Sequence, residues 1–384
     1  MRHLRNCPLC GGEGAPLYHN VMAPLDDLDM SYEVHGCLNC GSTYAGKLPS
    51  EDEYERYYSL FSKYDVGSLS EDNMRMHRLL ADIIARHCAA DTKVLDIGCG
   101  DGHLLSCLRE RGMHELYGVD PAPHAPQAAM SRYGISTVST GFLKDMVDRA
   151  ETGSYRLLCL SAVLEHLSAP ADQLKELLGQ AGEGTCIAVE VPDLESFDPV
   201  HAEPLGELSL EHINYFSRSS LRNLFAAAGC AEVCCQRVKH SSGGSLLGLY
   251  RKEGVPHSGA RVNDRELMQE YVKTSAERLH SLLDKVAGKL RAPFLIYGGG
   301  SHTARILPML SAASRQFPIH AIIDNNPNLK GRQLGGIPII PAAKLGDWPG
   351  RDILISSFRY ETEMKNSLAG EESERKVMTI YMDE

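Results

Sequence analysis

The chain has 384 residues, 43% hydrophobic and 23% charged, a balance that excludes fibrous, disordered and membrane-embedded classes. Lys and Arg total 39 against 50 Asp and Glu, and the formal charge of −11 argues against a broad footprint for a nucleic-acid backbone. At roughly 150 residues per domain, two or three domains are expected. The longest apolar runs, near Leu157–Val163 and Phe294–Tyr297, fall well short of the ~20 residues a membrane span requires. Residues 1–7 carry charge but no apolar h-region, so a cytoplasmic location is expected. In a reducing compartment the twelve cysteines are not expected to form a disulfide framework.

Four of those cysteines are organised. Cys7-Pro8-Leu9-Cys10 and Cys37-Leu38-Asn39-Cys40 are two C-x-x-C knuckles, each followed by a glycine, Gly11 or Gly41. Each knuckle aims two thiolates at one centre, and two knuckles complete a closed tetrahedral site for Zn2+. With all four positions filled by protein, the zinc is structural rather than catalytic; a redox dithiol pair is the alternative. The other eight cysteines, Cys88, Cys99, Cys107, Cys159, Cys186, Cys230, Cys234 and Cys235, sit mostly in apolar periodic segments and are expected in the core.

An acidic, tyrosine-rich stretch (51–65) and a helical pattern on Met76, Leu79, Leu80, Ile83 and Ile84 lead to Val94-Leu95-Asp96-Ile97-Gly98-Cys99-Gly100-Asp101-Gly102-His103. This reads as a buried strand, a glycine turn and a helix start. His103 stands where a dinucleotide fingerprint would want glycine. The segment therefore resembles motif I of the class I S-adenosylmethionine-dependent methyltransferases, and Asp96, Gly98, Gly100 and Gly102 become cofactor-binding candidates. The absent side chains let backbone approach a ligand, and the helix start offers amides to an anion. The next strand ends at Asp120, an acceptor suited to a ribose diol, followed by Pro121. Thr140-Gly141-Phe142 fits the loop that flanks adenine in that family. A fourth strand ending at Ser161 runs into Leu164-Glu165-His166, which matches the family's pattern after its fourth strand. Pro121, Phe142 and Ser161 complete the cofactor set.

The knuckle domain, this core, the segment Glu211-His212-Ile213-Asn214-Tyr215-Phe216-Ser217 and Gly243-Gly244-Ser245-Leu246 together resemble the sugar C-methyltransferases that act on nucleotide-linked keto-deoxysugars. The resemblance implies methyl transfer to an enolate carbon, with S-adenosyl-L-methionine as cofactor and a nucleotide-activated sugar as small-molecule substrate. Enolate formation needs a positioned base and a donor for the oxygen. His212 is the expected base or proton shuttle, with Glu211 orienting it or holding a sugar hydroxyl. His166 is the second acid/base candidate, and Tyr64 matches a family tyrosine near the transferred methyl. Ser209-Leu210 replaces the Tyr or His usual before the Glu-His pair, which keeps O- or N-methylation of another small metabolite as the rival. A zinc-ribbon RNA-modifying protein and a non-catalytic cofactor binder are the readings from other classes.

Residues 253–290 carry an amphipathic helical pattern, after which Phe294–Tyr297 and Gly298-Gly299-Gly300-Ser301-His302-Thr303 repeat the strand, glycine turn and helix. The expectation is an α/β protein: a zinc-binding domain (1–50), a methyltransferase domain with a Rossmann-like core (51–252), a helical connector (253–290) and a second Rossmann-like domain (291–384).

Overall fold

The structure is a computed structural model and describes residues 3–50, 52–54, 56–57, 69–148, 152–240, 243–254, 259–290, 293–313, 319–370 and 375–382. Tyr64 lies outside the described residues.

The amino-terminal strands β1 (His3–Leu4), β2 (Gly14–Asn20), β3 (Tyr32–Cys37) and β4 (Thr43–Leu48) form an antiparallel sheet in the order β1-β4-β3-β2. The sequence then enters α1 (Glu71–His87). Ser70 caps it by accepting from the Asn73 amide, acids occupy its first turn and Arg86 and His87 its last, and Met76, Leu80, Ala81, Ile83 and Ile84 are buried.

The central unit continues with β5 (Val94–Ile97), α2 (His103–Glu110), β6 (Leu116–Asp120), α3 (Ala125–Tyr133), β7 (Val138–Thr140) and α4 (Leu143–Asp148). Next come β8 (Leu157–Ser161), α5 (Pro170–Gln180), β9 (Cys186–Pro192), β10 (Asn214–Tyr215), α6 (Arg218–Ala227), β11 (Cys230–His240) and β12 (Gly243–Lys252). The seven-stranded sheet runs β11-β12-β9-β8-β5-β6-β7. Strand β12 is antiparallel to both neighbours, and the remaining pairs are parallel. Side chains alternate between its two faces: Val94 joins the core under α1 and α2, whereas Leu95 and Ile97 join the core under α5 and α6. The order reverses at β5, between β6 and β8, so a crevice opens above the carboxyl ends of these strands.

Strand β10 leaves that sheet and pairs antiparallel with β4, Asn214 opposite Tyr44 and Tyr215 opposite Thr43. The segment just after Glu211-His212 is thus an edge strand of the cysteine-bearing sheet.

The carboxyl-terminal unit comprises α7 (Asp264–Ala287), β13 (Phe294–Tyr297), α8 (Ser301–Ala313), β14 (Ile319–Ile323), β15 (Gln333–Leu334), β16 (Ile337–Ile340), β17 (Ile353–Ile355), α9 (Glu361–Ser367) and β18 (Val377–Met378). Its sheet, β15-β16-β14-β13-β17-β18, is parallel apart from the β15/β16 pair. One continuous core joins Tyr32, Val34 and Ala45 of the first sheet to Met268, Val272, Leu279 and Leu283 of α7 and to Phe294, Ile306 and Ile322 of the last unit. Each such side chain contributes about 1.5–3 kcal/mol of burial, so α7 is a shared wall rather than a spacer. The loop after β2 docks on the same unit through Ala23 N to Ala304 O (2.7 Å) and Gly335 N to Pro24 O (2.8 Å).

Five of the eight remaining cysteines are buried: Cys99, Cys107, Cys159, Cys186 and Cys230. Cys88, Cys234 and Cys235 are only half-buried, which corrects the expectation of core for all eight. Cys88 is the C-cap of α1, and Cys234 and Cys235 lie on β11, the edge strand of its sheet among the described residues.

Candidate active site

The four knuckle cysteines converge. Cys7 Sγ lies 3.7 Å from Cys40 Sγ and Cys10 Sγ 3.5 Å from Cys37 Sγ, and all four sulfurs lie within 4.8 Å of one another. Sulfurs sharing a tetrahedral zinc at a bond length near 2.3 Å sit about 3.8 Å apart, so the donor set fits Zn2+. A disulfide requires about 2.05 Å, which these separations exclude. Gly11 and Gly41 have φ of +72° and +86°, the left-handed turns that let each knuckle close.

In the crevice the glycine turn after β5 has positive φ at Gly98, Gly100 and Gly102. A Cβ on Gly98 would stand 2.7 Å from Val163 Cγ2, so this position needs glycine for space as well as for conformation. Asp120, at the end of β6, accepts from Gly100 N (2.8 Å, Oδ2) and Ala122 N (2.8 Å, Oδ1). Those two bonds hold the carboxylate upright beside the turn and leave acceptor capacity for hydroxyls. Asp96 is buried beneath it with Oδ1 lacking a hydrogen-bond partner, and burial together with the Asp120 charge pushes its pKa up to about 8. Pro121 is exposed just beyond Asp120, and Phe142 stands 63% exposed above β7, an apolar ring free to cover a base. An orphaned acid, an acceptor at the strand end and a side-chain-free turn form a donor set that fits S-adenosylmethionine. Asp145 Oδ2 accepts from Phe142 N at 2.8 Å and closes the turn that carries the ring.

The carboxyl-terminal sheet repeats the arrangement, Asp324 accepting from Gly299 N (2.6 Å) and Asn326 N (2.7 Å) beside Gly298 at φ +110°. There the Thr303 hydroxyl is turned back onto Gly298 O (2.5 Å).

The acid/base candidates gather at the end of β8. Ser161 Oγ donates to Glu190 Oε2 (2.5 Å), and Ala162 takes φ +54°, a strained conformation for a residue with a side chain. The 3-10 turn Leu164–His166 follows. His166 Nδ1 donates to Glu211 O (2.9 Å), and the His166 and His212 rings meet edge to face, centroids 5.0 Å apart at 73°. Burial lowers the pKa of both imidazoles, His212 to about 3 with His166 as second cause. Glu165 is 1% exposed, and burial pushes its carboxyl up to about 8, with Glu190 adding to the shift. Glu190 is itself raised by burial, an effect opposed by hydrogen bonds from Ser161 and from Ser245 of the Gly243-Gly244-Ser245 segment. Two neutral histidines and a protonated acid therefore share the crevice mouth with the cofactor candidates.

Residues that sequence patterning passed over fix this geometry. Ile213 N donates to Glu165 O (2.8 Å), and Asn214 Nδ2 donates to Leu164 O and Leu167 O (2.8 Å each). Arg5, just ahead of the first knuckle, donates to Asn214 Oδ1 (2.7 Å) and reaches Ile213 O and Ala45 O (3.3 Å each). Arg305 of α8 pairs with Glu203 (2.8 Å) and approaches Leu208 O (3.3 Å) on the segment leading to Glu211. No local motif marks Arg5 or Arg305, because their partners lie far along the chain.

The fold and the crevice define a Rossmann-like methyltransferase core. Residues 73–234 match the family model described as Methyltransferase domain. No curated protein matches the chain. Among solved structures it is similar to the 1,6-didemethyltoxoflavin-N1-methyltransferase of Burkholderia thailandensis, bound to 1,6-didemethyltoxoflavin and S-adenosylhomocysteine. That match has 18% identity, covers 56% of this chain and 97% of that one, and has a TM-score of 0.41. Magnesium protoporphyrin IX methyltransferase from Synechocystis matches at 17% identity over 53% of this chain and 95% of its own, TM-score 0.38. A Thermotoga maritima S-adenosylmethionine-dependent methyltransferase matches at 20% over 53% and 95%, TM-score 0.36.

Proposed function

We propose that the chain is an S-adenosylmethionine-dependent methyltransferase that places the methyl group on carbon of a nucleotide-linked keto-sugar. The observation that carries this reading is the seating of Glu211-His212 against His166 at the mouth of the crevice that Gly98, Gly100, Gly102 and Asp120 line. Bound there, the cofactor supplies an electrophilic methyl group. Asp120 would hold the ribose hydroxyls, the Gly98–Gly102 turn and the start of α2 the carboxylate end, and Phe142 would cover the base. Ser161 and Asp96 shape the floor, and Cys7, Cys10, Cys37 and Cys40 would hold a structural Zn2+ that ties the amino-terminal sheet together.

The protein's remaining task is to generate a nucleophile. His212, held neutral by burial and by His166, takes the proton α to the ketone. The C–H electron pair moves into the enolate, whose carbon would bond to the methyl group as the methyl–sulfur bond breaks, its electron pair staying on sulfur and S-adenosylhomocysteine leaving. Glu165, protonated at neutral pH, is a donor for the enolate oxygen, and Glu211 orients His212 or a sugar hydroxyl. Acidic surroundings leave recognition of an anionic nucleotide to backbone amides and local cations.

The test is α-proton exchange. Incubation with nucleotide-linked keto-deoxysugars in D2O should give deuterium at the α-carbon, and methyl-13C cofactor should yield a carbon-bound methyl by NMR. Methyl found on oxygen or nitrogen, or exchange unaffected by both His212→Gln and Glu211→Gln, overturns the enolate route.

A further inference from the structure

We infer that Glu165, His166 and His212 form a second metal site, separate from the four cysteines, which takes a borderline divalent transition ion such as Zn2+ or Co2+. One ligand atom from each residue lies within 4.8 Å of the others, with His166 Nε2 3.9 Å from Glu165 Oε1. Ligands around a tetrahedral ion at 2.0–2.1 Å stand about 3.3 Å apart, so side-chain rotations of roughly 1.5 Å or less close the set.

Two independent features point to a ligand. Glu165 is 1% exposed, yet its Oε2 has no hydrogen-bond partner, a buried polar atom that an ion taking the place of the carboxyl proton would satisfy. His166 already has the bonding of a metal-bound imidazole. Its Nδ1–H is spent on the Glu211 carbonyl, so the neutral ring must carry its lone pair on Nε2, the atom that faces Glu165. Two imidazoles and one carboxylate leave coordination positions open, and nitrogen-rich donors favour Zn2+, Co2+ or Fe2+ over Mg2+ or Ca2+.

A functional consequence follows that rests on the reading of His212 as proton acceptor. The lone pair that binds the ion is the one that takes the proton, so the ion and the base exclude each other. The ion is then a reversible inhibitor of methyl transfer.

The experiment is a Co2+ titration of the full-length protein with Zn2+ in its cysteine site, followed by X-ray absorption and by equilibrium dialysis with elemental analysis. The expected result is one Co2+ per chain in a nitrogen and oxygen shell with imidazole scattering and no sulfur, weakened at least tenfold by Glu165→Gln and by His212→Gln. No stoichiometric Co2+, a sulfur-containing shell, or affinity unchanged in both variants overturns the site. Scattering from the unaltered chain decides the matter if a variant fails to fold. Methyl transfer that falls as Co2+ fills the site and returns on chelation supports the exclusion, and transfer that persists with the site full overturns it. Co2+ binding without any methyl transfer would leave the metal site standing and remove the proposed reaction alone.

Discussion

His166 and Glu211, 45 residues apart, are joined by a 2.9 Å hydrogen bond from the imidazole Nδ1 to the main-chain carbonyl. That bond fixes the ring's tautomer and pins the turn after β8 to the segment bearing His212. The two halves of the site therefore move as one. Replacing His212 by Gln removes the proposed proton acceptor but leaves this bond in place. The expected outcome is a kcat about 10²–10⁴-fold lower, with thermal stability nearly unchanged. Initial rates beside a melting curve check it, and a kcat within threefold of the parent would remove His212 from the chemistry.

Asp120 makes two charge-assisted bonds to amides of its own site. Asp120→Ala leaves the Gly100 and Ala122 amides without that acceptor and removes the proposed partner for a ribose diol. Hydrogen bonds to charged groups are worth about 1.5–3 kcal/mol, so cofactor affinity should fall roughly 10- to 150-fold. Isothermal titration with S-adenosylhomocysteine reads this directly, and an unchanged Kd would place the ribose elsewhere.

Asp96 gives a pH signature. Its folded pKa of about 8 stands above the ordinary aspartate value of 3.8, so between those values the folded chain keeps a proton that the unfolded chain releases. Stability from this group is fully present below about pH 4 and is lost as pH rises through 8, with a slope of up to about 1.4 kcal/mol per unit. Asp96→Asn cannot ionise, so denaturant midpoints of the variant and the parent should converge at low pH and separate with rising pH, the variant becoming the more stable. Parallel profiles would mean that Asp96 is not protonated in the fold.

The glycine turn at Gly98–Gly102, Asp120 and the cysteine knuckles were visible in the sequence because each solves a local problem with a few neighbouring residues. Strand β8 and the helix α1 followed from apolar periodicity. The pairing of β10 with β4 was not legible: a two-residue strand carries no periodicity, and its partner precedes it by some 170 positions. Arg5 and Arg305 escaped for the same reason, since only the folded chain brings their partners within reach. The shared core around α7 was read as a connector because a helix's pattern tells that one stripe is buried but not against what.

The cysteine sheet is coupled to the crevice through Arg5. Its guanidinium bonds Asn214 Oδ1, and Asn214 in turn donates to Leu164 O and Leu167 O on either side of His166. Arg5→Met keeps the apolar stem and the four cysteines proposed to hold zinc but removes the donors, leaving Asn214 Oδ1 and the Ile213 carbonyl to find others. Losing a half-buried charged donor costs about 1.5–3 kcal/mol, so the variant should melt several degrees lower while retaining one zinc per chain by elemental analysis. The diagnostic change is kinetic. Displacement of His212 relative to the cofactor should lower kcat at least tenfold with KM for the cofactor nearly constant, because Asp120 and the glycine turn are untouched. Strong chelation should reproduce both losses at once, since removing Zn2+ loosens the sheet to which β10 is paired. If Arg5→Met keeps full kcat, the cysteine domain stabilises the chain without positioning the acid/base pair.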